Sequence, residues 1–361
     1  MQKVISLFFF MGLLLYSCNS QNQNPQGTNS GGIGSSADWL IPEGQVFDGG
    51  PGKDGIPALD QPQTSAINEI SYLSDDDLVV GFSWNGNYRA YPHKILDWHE
   101  IINDDLNGSK IAVTYCPLTG TGIGWNREIA GIETTFGVSG LLYNSNLIPY
   151  DRYTDSNWCQ ISLSCVNGTL KGSRVSTFTV IETTWGTWKM MFPNSTVVNT
   201  NTGFSRNYRL YPYGDYRTNH NALLFPVNRM DERIPAKERV LAVIENEKAR
   251  VYQFKEFEGG TNIITDNVDG KDIVIIGNKE KNFIIAFENM LNGAQQNYTV
   301  ASGSGNQIVF SDTGGNGYDL FGNVIEGPDK GSRLLKATSF MAYWFSIGAF
   351  YPNTTIYNFG N

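Results

Sequence analysis

Residues 77–127 read DLVVGFSWNGNYRAYPHKILDWHEIINDDLNGSKIAVTYCPLTGTGIGWNR. This stretch decides the fold. Residues 77–84 have the β-branched and aromatic content of a strand. Asn85-Gly86-Asn87 is a turn, and residues 88–91 pair back as a hairpin. Pro92 suits the first position of a helix, in which Ile95, Leu96, His99 and Ile102 share one face. Asn107-Gly108 is a second turn. Residues 110–116 form the next strand, followed by Gly120, Gly122 and Gly124. Short strands and tight turns also fit the 13% aromatic content and the 39 glycines of the whole chain.

Moving outward, a second passage repeats the plan. Residues 239–287 read RVLAVIENEKARVYQFKEFEGGTNIITDNVDGKDIVIIGNKEKNFIIAF, and Asp269-Gly270-Lys271-Asp272-Ile273 aligns with Asn107-Gly108-Ser109-Lys110-Ile111. Lys171-Gly172-Ser173-Arg174 recurs as Lys330-Gly331-Ser332-Arg333. Trp185 with its later Phe192-Pro193-Asn194 recurs as Trp344 with Tyr351-Pro352-Asn353. Both recurrences lie 159 positions on (171 to 330, 185 to 344). The expected fold is α+β and β-rich, two fused pseudo-equivalent halves with short edge helices. The halves span 39–199 and 239–361. The connector 200–238, with GFSRNYRLYPYGDYRTNH, is long for a loop and is expected to pack over the body or line a site.

The N-terminus reads as an export signal. Lys3 precedes the apolar run 4–16, which is too short to span a bilayer. Leu15-Tyr16-Ser17-Cys18 resembles a bacterial lipobox, so residues 1–17 are expected to be removed and Cys18 lipidated. Residues 18–38 are a mostly Asn, Gln, Gly and Ser tether. The expected partner is thus a membrane, through the lipid on Cys18, with the chain in the cell envelope facing the periplasm. A net charge of −9 without a basic stripe argues against nucleic acid.

The halves differ where chemistry would sit. Cys116 falls opposite Asn278, and His99 opposite Gly260 or Thr261. Trp158, Cys159 and Cys165 have no counterparts. Cys116, at a strand end before a glycine turn, is a candidate nucleophile or soft metal ligand. His99 is a candidate base or second ligand. Glu100, or the Asn103-Asp104-Asp105 group, would orient its ring. His93 starts the helix away from that face. Copper or zinc suits a thiolate and an imidazole, though two ligands are too few for a closed zinc site. A buried, inert Cys116 and a satisfied core His99 are the plainer alternatives. Cys159 and Cys165 can form a disulfide only across a hairpin. The run 120–124 lacks the Lys-Ser/Thr of a phosphate loop.

AYPHKILDWHEIINDDLNGSKIAVTYCPLTGTGIGWNR, FGVSGLLYNSNLIPYDRYTDSNWCQ, RLYPYGDY and AYWFSIGAFYPNTTIYN resemble the bacterial and archaeal family known as domain of unknown function 3179. The resemblance brings no activity with it. It singles out His99, Glu100, Asn103, Asp104, Tyr115, Cys116, Tyr143, Asn144, Asp151, Arg152, Trp158 and Gln160, all in the first half. Of these, Tyr115, Asn103, Asp104, Tyr143, Asn144, Asp151, Arg152, Trp158 and Gln160 are candidate binding residues. Thr119 stands where relatives often carry a second Cys, which removes a dithiol mechanism. Cys159 stands where Ser is expected. Two functions from different classes follow: a Cys116/His99 thiol or metal site, and a non-catalytic lipoprotein that binds a sugar or peptide through aromatic residues. A hydrolase using Asp104 or Asp151 is a third.

Overall fold

A computed structural model describes residues 38–301 and 307–360. The signal, Cys18 and nearly all of the tether lie outside the described residues. Within them the chain is β-rich, with three helices of seven residues each: α1 (His93–His99), α2 (Trp185–Met191) and α3 (Trp344–Phe350).

The hairpin forms as expected. Leu78–Trp84 pairs antiparallel with Asn87–Pro92. Asn85 (φ 48°) and Gly86 (φ 74°) both adopt the left-handed conformation that a two-residue hairpin turn requires. Val180–Thr184 flanks one side of the hairpin, and Thr196–Val198 runs parallel along the other. The second passage has the same order. Arg239–Glu245 and Lys248–Gln253 form the hairpin, Ser339–Tyr343 flanks it, and Thr355–Ile356 is its parallel neighbour. Three-stranded meanders follow each hairpin: Ile101–Leu106, Ser109–Cys116 and Thr121–Asn126 in one, Asn262–Val268, Lys271–Asn278 and Phe283–Glu288 in the other. Even isolated bridges recur 159 positions on, Ser164 with Arg174 and Asn323 with Arg333.

One expectation fails at α1. The helix stops at His99, so Ile102 is not on its face. Ile101 and Ile102 pair with Thr114 and Val113 instead. Two adjacent β-branched residues gain more as a buried strand than as a helix end.

The passages share their cores. One cluster joins Cys116, Trp125 and Trp158 to Val240, Trp344 and Phe345. Another joins Trp188 and Phe192 to Val274 and Phe287. The connector adds no helix or strand. Side chains fasten it to the first passage: Tyr216 OH donates to Leu118 O (2.9 Å), Trp98 Nε1 to Leu210 O (3.1 Å) and Ser145 Oγ to Phe225 O (2.7 Å). Its far end meets the second passage, where Trp344 Nε1 donates to Asp231 O (2.7 Å).

Candidate functional site

Helix α1 starts after Pro92 and buries His93, Ile95, Leu96, Asp97 and His99. Glu100 ends it in a conformation uncommon for a residue with a side chain (φ 57°, ψ −32°), its N–H still bonded to Leu96 O. That reversal turns the Glu100 carboxyl into the protein. Its one side-chain partner is Tyr213 OH, 3.5 Å from Oε1. Burial pushes the carboxyl up to about 7, and Tyr213 offsets little of this. A strained, buried carboxyl with its pKa near neutrality is a mark of functional sites.

Cys116 lies at the end of its strand and is buried in the shared core. Burial, then the nearby Glu100 carboxyl, push its thiol up to about 11. Its Sγ approaches Ser145 O at 3.6 Å. Such a thiol is a small core hydrophobe rather than a nucleophile.

His99 does not serve Cys116. Its Nδ1 is 2.7 Å from Pro57 O and its Nε2 2.7 Å from Tyr208 OH. Both ring nitrogens are therefore occupied, and burial lowers the pKa of the ring. The expected orienting carboxylates are elsewhere. Glu100 faces Tyr213, and Asp104 accepts from Arg89 Nη1 (2.6 Å) and Tyr91 OH (2.8 Å). The reason is local. Residues 101–106 are strand, not helix, so Asp104 points toward the neighbouring hairpin. Among the described residues, no three His, Cys, Asp or Glu side chains converge as a metal site. His99 offers no unshared nitrogen to copper or zinc.

The remaining candidates are spread through the first half. Asn103 bonds Asp60 and both the N–H and C=O of Phe136. Asp151 is buried, accepting from Trp158 Nε1 (3.0 Å) and Thr154, while Arg152 turns outward to Asp54 and Asp60. Gln160 Nε2 donates to Thr114 Oγ1 and Thr121 O, and its Oε1 accepts from Asn146. Asn144 Oδ1 accepts from Asn228 N, and Asn228 Nδ2 donates to Tyr143 OH, which tether the connector. Trp158 is a core side chain. Cys159 and Cys165 are free. A hairpin does join them, but Cys159 stands opposite Ser164 and Cys165 opposite Trp158. Being one step out of register puts the two thiols on opposite faces of the sheet.

Another constellation is tighter. His93, set aside above, is 3% exposed. Its ring lies 4.4 Å from that of Tyr115. His93 Nε2 is 3.2 Å from Glu182 Oε2, and among the described residues its Nδ1 has no hydrogen-bond partner. Arg239 Nη2 donates to Glu182 Oε1, and Arg217 Nη2 to Asp97 Oδ2. Burial pushes the Glu182 carboxyl up, but Arg239 and His93 outweigh it and bring it down to about 2. His93, Glu182, Arg217 and Arg239, with Lys237, Tyr115, Gly120 and Tyr343, surround a cavity of about 150 Å³. Gly120 (φ 59°) is required there, because a Cβ would stand 2.8 Å from the Tyr343 ring.

Residues 53–354 match the family described as protein of unknown function (DUF3179). The chain belongs to this family. No curated protein and no solved structure matches it. Membership in DUF3179 assigns no chemistry, so the side chains must. Of the missed residues, Tyr213 and Tyr216 lie in the string RLYPYGDY, while Lys237 and Arg239 lie where the connector meets the second passage. Their meeting with His93 and Glu182 depends on how the connector crosses the sheet, which no local pattern encodes.

Proposed function

We propose that the protein is an exported, lipid-anchored binding protein whose ligand site lies beneath the connector. The apolar run 4–16, the lipobox-like Cys18 and the uncharged segment that follows support export, a lipid on Cys18 and a periplasmic setting. The membrane is then its partner through that lipid. The two passages are copies of one unit, of which the first retains the site. The shared 159-residue offset and the matching strand orders support this.

His99 carries the choice between binding and thiol chemistry. Both of its ring nitrogens are bonded, to Pro57 and Tyr208, which supports binding over chemistry at a Cys116/His99 pair. The five tryptophans at positions 125, 158, 185, 188 and 344 are buried, so the polar and tyrosine side chains under the connector are the better ligand contacts.

Iodoacetamide labelling of the native full-length protein at neutral pH tests this. Cys116 should stay unlabelled until the chain is denatured, and protein purified without added metal should carry none in stoichiometric amount. Prompt labelling of Cys116, or stoichiometric metal lost in Cys116→Ala, would restore the thiol or metal function.

A further inference from the structure

The cavity beside His93 has a built floor and a charged mouth. The side chains of His93 and Glu182 are 4% and 7% exposed, whereas those of Arg217 and Arg239 are 36% and 26% exposed. Lys237 is 4% exposed, and its acceptors are the carbonyl oxygens of Tyr216 and Ala222. It lies over the Tyr216 ring, 3.2 Å from its centre. Burial lowers its pKa to about 8, so it remains mostly a cation at neutral pH. Asp215, the carboxylate that partly offsets this, is exposed to solvent.

The charges do not balance. Arg217, Lys237 and Arg239 line the cavity with Glu182, and Asp97 pairs with Arg217 from behind. Three cations face two carboxylates, in a chain of net charge −9. Tyr115 and Tyr343 line the same space, and burial keeps both phenols protonated, as donors. His93 lines the same space, with Nε2 beside Glu182 and a buried Nδ1 that has no hydrogen-bond partner among the described residues. A buried polar group without a partner is costly, and a ligand can supply one.

We propose that this cavity binds one carboxylate group, that of a small acid or of a peptide C-terminus, held by Arg217, Arg239 and Lys237 with His93 at its base. This rests on the binding function above and names its ligand class. One negative charge cancels the surplus. Guanidinium donors match a planar carboxylate. A cavity of about 150 Å³ fits a short-chain acid or the end of a peptide.

Calorimetry on the full-length protein tests this with propionate, its neutral isostere propionamide, inorganic phosphate, and the dipeptide Ala-Ala with free and amidated C-terminus. Propionate or free Ala-Ala should bind saturably and raise the melting temperature, and the amides should not. Binding of propionate assigns a free acid, and binding of Ala-Ala alone assigns a peptide terminus. Arg217→Gln should weaken binding about tenfold. Arg217 also pairs with the buried Asp97, so this variant should melt below the native chain, and its affinity is read on the folded fraction. If it does not fold, the acid–amide contrast on the native chain decides alone. Equal behaviour of acid and amide, no binding by either acid, tighter binding of phosphate, or a folded Arg217→Gln with unchanged affinity would each overturn the proposal. Failure here with Cys116 still unlabelled overturns the pocket only. Carboxylate binding with a reactive Cys116 overturns the exclusion of thiol chemistry only.

Discussion

Residues 87–106 and 248–268 are built around the same device, yet only one of them leads to the proposed site. In the first, Arg89 and Tyr91 on a hairpin strand hold Asp104 on the next meander strand. In the second, Arg250 and Tyr252 hold Asp266 in the same way. Each Asp also accepts from the N–H that follows it, Asp105 N at 2.7 Å and Asn267 N at 2.8 Å. What separates the passages is the piece between hairpin and meander. The first has α1, which buries His93, Asp97 and His99; the second has a single 3₁₀ turn, Phe254–Glu256. One added helical segment thus turns a scaffold into a floor for the connector. Asp104, singled out as a binding residue, belongs with the repeated device, whereas Glu100 and His93 belong with what is particular to the first.

The largest test of this comparison is paired. Asp104→Ala strips a half-buried Arg and a buried Tyr of their partner and should cost about 3 kcal/mol in urea unfolding. Asp266→Ala should cost less, because the Arg250 and Asp266 side chains are 26% and 15% exposed against 15% and 4% for Arg89 and Asp104. An Asp104→Ala protein as stable as the native one would break the structural equivalence.

The next effect has no counterpart in the second passage. Folded Glu100 keeps its proton up to about 7, while unfolded it releases it near 4.5. Between those values the folded chain binds more protons, so its contribution to stability falls as pH rises and stays low above 7. Glu100→Gln should remove that slope and stabilise the protein at pH 8 by roughly 3 kcal/mol. Unfolding midpoints from pH 4 to 8 measure it, and parallel profiles for native and variant would refute the buried, uncompensated carboxyl.

The smallest effect concerns Cys116, which aligns with Asn278. Cys116→Ala should cost about 1 kcal/mol, as an ordinary loss of core volume. It should leave the binding of propionate or Ala-Ala intact. Loss of binding without loss of stability would return Cys116 to the site.

Much of the fold was legible because its signals are local. Asn85-Gly86 and Asn107-Gly108 mark turns through their own backbone preferences, and the strands beside them carry β-branched and aromatic residues such as Val79, Val80, Phe82, Tyr88, Ile111 and Val113. The inward face of His99 was legible from helical spacing, and the structure buries it. Its partners were not, since Pro57 and Tyr208 lie 42 and 109 residues away. The same holds for Cys159 and Cys165, whose separation by one step of register depends on where the hairpin turns.

The amino-acid order by itself determined the hairpin strands, the turns and the repeated order of the two passages, because each rests on neighbours along the chain. It also marked the connector as too long and too aromatic to be idle. Only the tertiary structure decided that Tyr213 meets Glu100, that Arg239 meets Glu182 beside His93, and that Cys116 is sealed away. Those meetings come from packing one face against another, and burial then sets the charge of each group. Neither the contact nor the desolvation exists until the connector lies across the sheet.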